Sequence, residues 1–418
     1  MSRNQKDPNP RTTTAEQREQ AREHLSQSAD KTNLSAGDMS KEEVLEAFPE
    51  PHTSSRQFTG DQRCHDDWED IARTFSIRRG SIWDVFTEEE AAEYYGHEPY
   101  EMKFEKELIP NYTHHAWDYD DQTMLAGGTD FLAIGPPGSG KSTMALNHSL
   151  RLMEENDEKV VWRASTARSE WLPYAPWARV CLPKGVDVSA RFVPKVPTQD
   201  GFEVELEDVV REVVRYRNPH HLNHELLKDG QFHVVYPDPK MRGIQEIYED
   251  TQEKQYDGLE FTSDDPLNHW WFGYILSRVE RGPYHWTSII FDEIGDIAPE
   301  AARNDEYSHY QKVELFKDCL VDARKTGLSI FMFGHTESDI HSMIRRKIRW
   351  RVAMAGKANP TRGSQVVGFN NVPMNENLSS NLDVGLMIPY NESRFEWPGV
   401  KFANFPDPVD MTLKVEYA

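Results

Sequence analysis

The 418-residue sequence predicts an α/β fold, a mostly parallel sheet flanked by helices, on three observations. An apolar run at 131–134 leads into a glycine-rich turn and then into a helical pattern that puts Leu146, Leu150 and Met153 on one face. A second apolar run, 159–164, follows that helix and completes the strand, helix, strand unit of a parallel sheet. Two further apolar runs, 288–291 and 328–333, lie either side of a helical stretch, 307–325, and each ends in polar residues.

The turn is the most informative element. It reads Gly135-Pro136-Pro137-Gly138-Ser139-Gly140-Lys141-Ser142-Thr143, a complete phosphate-binding loop. Its glycines free the backbone to aim successive N–H groups at phosphate oxygens. Lys141 is expected to reach the β and γ phosphates of a nucleoside triphosphate, taken as ATP, and the Ser142 hydroxyl to ligate Mg²⁺. The helix that starts here adds its N-terminal dipole to the same anion site.

The second apolar element, 159–164, is expected as a short buried strand. The long stretch from 171 to 285 is expected as an insertion that carries some extra strands: strand-like 179–182, a helix at 206–217, strand-like 232–236 and a Trp-rich helix at 267–279. Adjacent Trp270 and Trp271 cannot both point straight at one core from a helix, so one is expected at a subunit contact. His220, His221 and His224 follow Pro219 in a polar connector without nearby cysteines, and read as a solvated loop rather than a metal site.

Residues 288–293 read Ser-Ile-Ile-Phe-Asp-Glu, an apolar strand ending in two acids. Asp292 is expected to hold Mg²⁺ through water and Glu293 to orient and activate the attacking water. The next helix carries Val313, Phe316, Leu320 and Ala323 at helical spacing, with Cys319 on the same face as a small core residue, and stops at Gly327. The strand after it ends at Gly334-His335-Thr336, so His335 or Thr336 emerges where open α/β sheets bind ligands and is a candidate γ-phosphate sensor.

Composition limits the surroundings. Seventy acids against 47 bases give a formal charge of −23, and the bases are 28 Arg and 19 Lys. An acidic, Arg-rich surface suits concentrated salt, where hydrated cations screen the repulsion. No run approaches the ~20 apolar residues that cross a membrane. Three widely spaced cysteines, Cys64, Cys181 and Cys319, fit a reducing compartment. Residues 1–58 read as a disordered polar tail with capping boxes at Thr14/Gln17 and Ser40/Glu43, and 59–125 as a small, mainly helical unit rich in aromatics. The ATPase domain is expected over 126–356 and a C-terminal extension over 357–418, with strand-like 365–369, covering a neighbouring subunit.

The order of these parts resembles the FtsK/HerA superfamily of DNA-pumping ATPases. The likeness rests on residues 135–143, on 289–293 and above all on 322–355, DARKTGLSIFMFGHTESDIHSMIRRKIRWRVAMA. A helix closing in an Arg-x-x-Gly turn leads there to a strand, a polar sensor, an Asp-hydrophobic pair, a short helix and a strand that starts near an Arg. The superfamily usually has Gln at the sensor, where this chain has His335-Thr336. Within it the Gly-His-Thr sensor and compact motor resemble the genome-packaging ATPases of internal-membrane viruses, here a haloarchaeal one. The resemblance implies a ring homo-oligomer, expected as a hexamer, acting on double-stranded DNA in the host cytoplasm, with a portal vertex or membrane proteins as partners. Residues 345–351, with five bases among seven positions, are expected to touch phosphate in a neighbouring ATP or in DNA. Arg324, Arg345 and Arg346 are the candidates for an arginine finger. The rival readings are a related pump for conjugation or chromosome processing, and an assembly protein whose phosphate loop is only a switch.

Overall fold

A computed structural model describes residues 130–156, 158–194, 201–348, 350–356, 382–390, 400–401 and 411–417. The expected tail, aromatic helical unit, both capping boxes, Cys64 and the piece at 365–369 lie outside these residues.

β1 (Asp130–Ile134) enters the phosphate loop, α1 (Lys141–Asn156) leaves it, and β2 (Lys159–Arg163) returns to the sheet. β3 (Arg179–Pro183), β4 (Val188–Pro194), β5 (Phe202–Val204), β6 (Glu212–Tyr216) and β7 (Phe232–Val235) follow, then α2 (Ile244–Glu249) and α3 (Pro266–Arg281). β8 (Thr287–Phe291), α4 (His309–Ala323), β9 (Leu328–Gly334), α5 (Ser342–Arg345) and β10 (Trp350–Met354) complete the core; β11 (Leu386–Tyr390), β12 (Val400–Lys401) and β13 (Met411–Tyr417) come last.

Ten strands form one sheet in the order β12-β11-β10-β1-β9-β8-β2-β7-β3-β6. From β10 to β6 every pairing is parallel, and β11 and β12 add an antiparallel edge. β9, which ends at Gly334 just before His335, lies between β1, which feeds the glycine-rich loop, and β8, which ends in the acid pair. Parallel strands covered on both faces must be apolar on both, and all residues of β8 and β9 are buried. Alternation then feeds two cores. Phe131 and Ala133 join the one that includes α1 residues Met144 and Leu152, whereas Leu132 and Ile134 join the one under α3 and α4.

Two expectations fail in the insertion. Residues 206–217 form a single 3₁₀ turn and then β6, not a helix, because Val213 and Val214 complete a parallel pairing with β3. β-Branched residues fit that pleated surface better than a helix. Trp270 and Trp271 are both fully buried, because α3 is covered on all sides. Trp270 stacks on Tyr274 at 5.1 Å, and Trp271 meets Phe291 of β8 edge-on at 5.4 Å. The insertion therefore extends the sheet and thickens the core.

α4 ends as expected at Gly327, whose φ of +67° only glycine adopts without strain. Cys181 and Cys319 are fully buried, and burial pushes the Cys181 thiol up to about 12. The C-terminal strands join this chain's own sheets: β11 pairs with β10, and β13 pairs with β4 along seven residues.

Candidate functional site

The site is assembled where β1, β8, β9 and β2 end. In the loop, Gly138 and Gly140 have φ of +78° and +87°, and a Cβ on Gly135 would lie 2.5 Å from Ser139 Oγ. The glycines at these positions are thus conformational and steric requirements of the turn. Lys141 and Ser139 are buried, Ser142 and Thr143 are partly buried, and Pro136, Pro137 and Gly138 are exposed at the mouth.

Lys141 Nζ donates to the Gly135 carbonyl at 2.8 Å and the Pro136 carbonyl at 3.1 Å, and lies 3.3 Å from His335 Nδ1. On the other side of the same ring, His335 Nε2 lies 3.0 Å from Glu293 Oε1. The tautomer with its proton on Nε2 satisfies both contacts: Nδ1 accepts from Lys141 and Nε2–H donates to Glu293. Lys141, His335 and Glu293 thus form one chain of contacts. Thr336, the other sensor candidate, is exposed and its hydroxyl bonds Ser338 Oγ at 2.7 Å.

The two acids differ. Asp292 is 8% exposed, and burial raises its carboxyl above the usual range against the opposing pull of Arg168, Arg163 and Lys141. Glu293 is also raised, first by burial and then by Asp292, while His335, Arg168 and Lys141 pull it down. Its backbone sits at φ +60°, ψ +70°, a left-handed conformation that a non-glycine residue holds only where its surroundings impose it.

Three residues that the sequence did not single out complete the site, all from β2 or the segment after it. Arg163 donates to the Asp292 carbonyl at 2.8 Å and to Asn268 Oδ1 at 2.5 Å. Arg168 bonds Asp296 at 2.7 Å and lies 3.9 Å from Glu293. Burial, followed by the neighbouring Asp292 carboxylate, raises the Glu170 carboxyl to about 7. The signal available was only position, since polar residues after a parallel strand emerge at the sheet's carboxyl edge.

A cavity of ≈ 300 Å³ opens beside this cluster, lined by Ser142, Thr143, Arg168, Glu170, Leu172 and Met411. Its hydroxyl and carboxylate oxygens fit Mg²⁺, which prefers oxygen donors and keeps several of its own waters. Among the described residues no three His, Cys, Asp or Glu side chains gather in a metal cage. The His220 and His224 rings lie tilted against each other with centroids 4.2 Å apart, and His221 pairs with Glu225.

The basic run divides. Arg351 is 5% exposed and donates to the carbonyls of Ile348 at 2.6 Å and Arg345 at 2.5 Å, so it is an internal brace and not a phosphate contact. Arg345 reaches Glu300 at 3.2 Å, while Arg346 and Lys347 are exposed. Arg324 begins the 3₁₀ turn after α4, and Arg349 lies outside the described residues.

No known family profile matches the chain, and no curated protein matches it. Among solved structures, it is similar to the genome packaging NTPase B204 from Sulfolobus turreted icosahedral virus 2 in complex with ATP-gammaS, at 10% identity and a TM-score of 0.33, over 66% of this chain and 98% of that one. It is also similar to the pCW3 conjugation coupling protein TcpA, at 11% identity and a TM-score of 0.32, over 71% of this chain and 70% of that one.

Proposed function

We propose that this chain is an ATPase that drives double-stranded DNA through a ring of its own copies, in the manner of a viral genome-packaging motor. The observation that carries the ATPase reading is the contact chain from Lys141 through His335 to Glu293, joining a phosphate-binding cation to a carboxylate placed to activate water. Loop N–H groups and Lys141 would hold the phosphates. Mg²⁺, held by Ser142 and by Asp292 through water, would neutralise charge on the phosphate oxygens. Glu293 would take the proton of the attacking water, with His335 fixing which carboxylate oxygen faces it.

The DNA reading rests on the sequence resemblance across 126–356, as do the hexameric ring, the finger in trans from Arg324, Arg345 or Arg346, and a place in the host cytoplasm or at a packaging vertex. No helix among the described residues is long and apolar enough to cross a membrane. The charge of −23 adds a condition. In concentrated salt, phosphate contacts lose most of their counterion-release advantage, so encirclement rather than affinity would retain DNA.

The test is ATP hydrolysis at molar KCl, with and without long double-stranded DNA, for wild type and Glu293→Gln. Stimulation by DNA that disappears in the variant is the expected result. Hydrolysis indifferent to DNA would overturn the translocase reading, and no hydrolysis would leave the phosphate loop as a switch.

A further inference from the structure

Arg163, the last residue of β2, is buried, and its guanidinium bonds inside the site. Nη1 donates to the Asp292 main-chain carbonyl at 2.8 Å, and Nη2 donates to Asn268 Oδ1 at 2.5 Å and to Asp296 Oδ2 at 3.3 Å. These acceptors belong to two elements, the turn after β8 and the first turn of α3. The α3 acceptor is itself fixed: Asn268 Nδ2 donates to Asp265 Oδ2 at 2.7 Å, and Asp265 caps α3 by accepting from the Asn268 N–H. Asp296 Oδ2 also accepts from Arg168 Nη2 at 2.7 Å. The segment of Arg168 is tied down in turn, since the Ser169 hydroxyl accepts from the Leu413 N–H of β13 at 2.9 Å.

The two acceptors after β8 bracket Glu293. The Asp292 carbonyl belongs to the rigid peptide plane that joins Asp292 to Glu293, so a bond that fixes this carbonyl fixes ψ of Asp292 and φ of Glu293 together. Asp296 closes the turn from the far end, its N–H donating to the Glu293 carbonyl at 3.1 Å. Between them Glu293 has φ +60° and ψ +70°, a conformation that a residue with a side chain does not adopt by its own preference. Ile294, directly after it, is fully buried and anchors the chain there. In this turn the Glu293 carboxylate lies 3.0 Å from His335 Nε2. A planar guanidinium fork can serve a carbonyl and a side-chain oxygen at once, which a single ammonium cannot do with the same geometry.

We propose that Arg163 is a positioning residue for hydrolysis: by holding the Asp292 carbonyl and Asp296 on either side of Glu293, it keeps Glu293 in its left-handed turn, with the carboxylate beside His335 where it meets the attacking water. This rests on the ATPase reading of the site and deepens it. Arg163 touches no nucleotide in this role and acts through Glu293. Its anchor, Asn268, belongs to α3, so the long segment between β2 and β8 contributes to the geometry of the site as well as to the core.

The experiment uses the full chain and measures steady-state ATP hydrolysis with Mg²⁺ in molar KCl, beside a fluorescent-nucleotide titration and the thermal midpoint. Its variants are Arg163→Lys, Glu293→Gln and the two combined. Arg163→Lys keeps the positive charge but replaces the planar fork with one ammonium. It should lower kcat about tenfold or more, since a small misplacement of a reacting group costs up to about 10²-fold, while nucleotide affinity stays at the wild-type value. The double variant should hydrolyse within about twofold of Glu293→Gln alone, because a residue that acts through Glu293 then has nothing left to position. A merely structural role would lower the thermal midpoint without that non-additivity. A folded Arg163→Lys with wild-type kcat overturns the proposal, as does a parallel loss of nucleotide affinity or a double variant slowed by the product of the two single effects. If Arg163→Lys does not fold, Asn268→Ala decides: it removes the α3 anchor of the fork, so a lowered kcat at wild-type nucleotide affinity supports the proposal and an unchanged kcat overturns it. If wild type hydrolyses no ATP, the ATPase reading itself falls. If wild type and Arg163→Lys hydrolyse equally, the ATPase reading stands and the Arg163 role falls.

Discussion

Two arginine-bearing segments of this chain have opposite fates. Residues 345–351 are dense in positive charge, yet among the described residues of the run Arg351 braces the carbonyls of Ile348 and Arg345, Arg345 turns to Glu300, and only Arg346 and Lys347 stand exposed. Residues 163–170 have no such density, yet Arg163 and Arg168 converge on Asp292, Glu293 and Asp296. Charge density along a chain measures how much charge must be placed. Position at the carboxyl edge of a parallel sheet decides which charges meet the reacting groups.

The comparison can be broken at several points. The largest effect is expected at the carboxylate served by the second segment. Glu293→Gln should lower hydrolysis by about 10²- to 10⁴-fold with nucleotide binding retained, as measured by steady-state rates beside a fluorescent-nucleotide titration. Next, Arg351→Met should cost about 2 kcal/mol of stability in denaturant unfolding, because the buried bond to the Ile348 carbonyl and the half-buried one to the Arg345 carbonyl are both lost. A neutral result there would mean that the basic run is a surface feature after all.

The direct comparison is between Arg168→Ala and Arg346→Ala in dilute, DNA-free protein. The first should slow hydrolysis about tenfold, with little change in thermal midpoint since Arg168 is one-third exposed. The second should leave the rate unchanged and stability within about 0.5 kcal/mol. The reverse ranking would sink the assignment of Arg168 to Glu293.

The smallest effect is in the pH profile. Burial holds Glu293 above the usual carboxylate range and Arg168 pulls it back down. Acid therefore switches off the base at a higher pH than for an exposed glutamate. Removing the Arg168 cation destabilises the carboxylate further and should move the acid limb of kcat to still higher pH. Arg346→Ala should leave that limb where it is.

The phosphate loop, the Asp-Glu strand end and the sensor strand were legible because each is a local pattern: a few adjacent residues whose backbone or side-chain chemistry has one main use. The strand order that brings them together, with β9 between β1 and β8, emerged only in the folded sheet. Residues 206–217 were misread because Val209, Val210, Val213 and Val214 satisfy a helical period while β3 offers the stronger pairing. Trp270 and Trp271 were misread because a helix is two-faced only if one face meets water, and α3 meets protein on every side. Glu170 gave no signal, since its neighbour Asp292 is 122 positions away in sequence and its approach depends on β13.

The sequence by itself determined the phosphate loop, the acid pair, the sensor position and the parallel α/β class, because these depend on backbone freedom and apolar periodicity within short windows. Only the tertiary structure decided that His335 rather than Thr336 meets Glu293, that Arg168 and Glu170 join the site, and that β13 clamps the segment bearing them. Those contacts join residues far apart in sequence, and hydrogen bonds are made over about 3 Å, a distance that only packing can set.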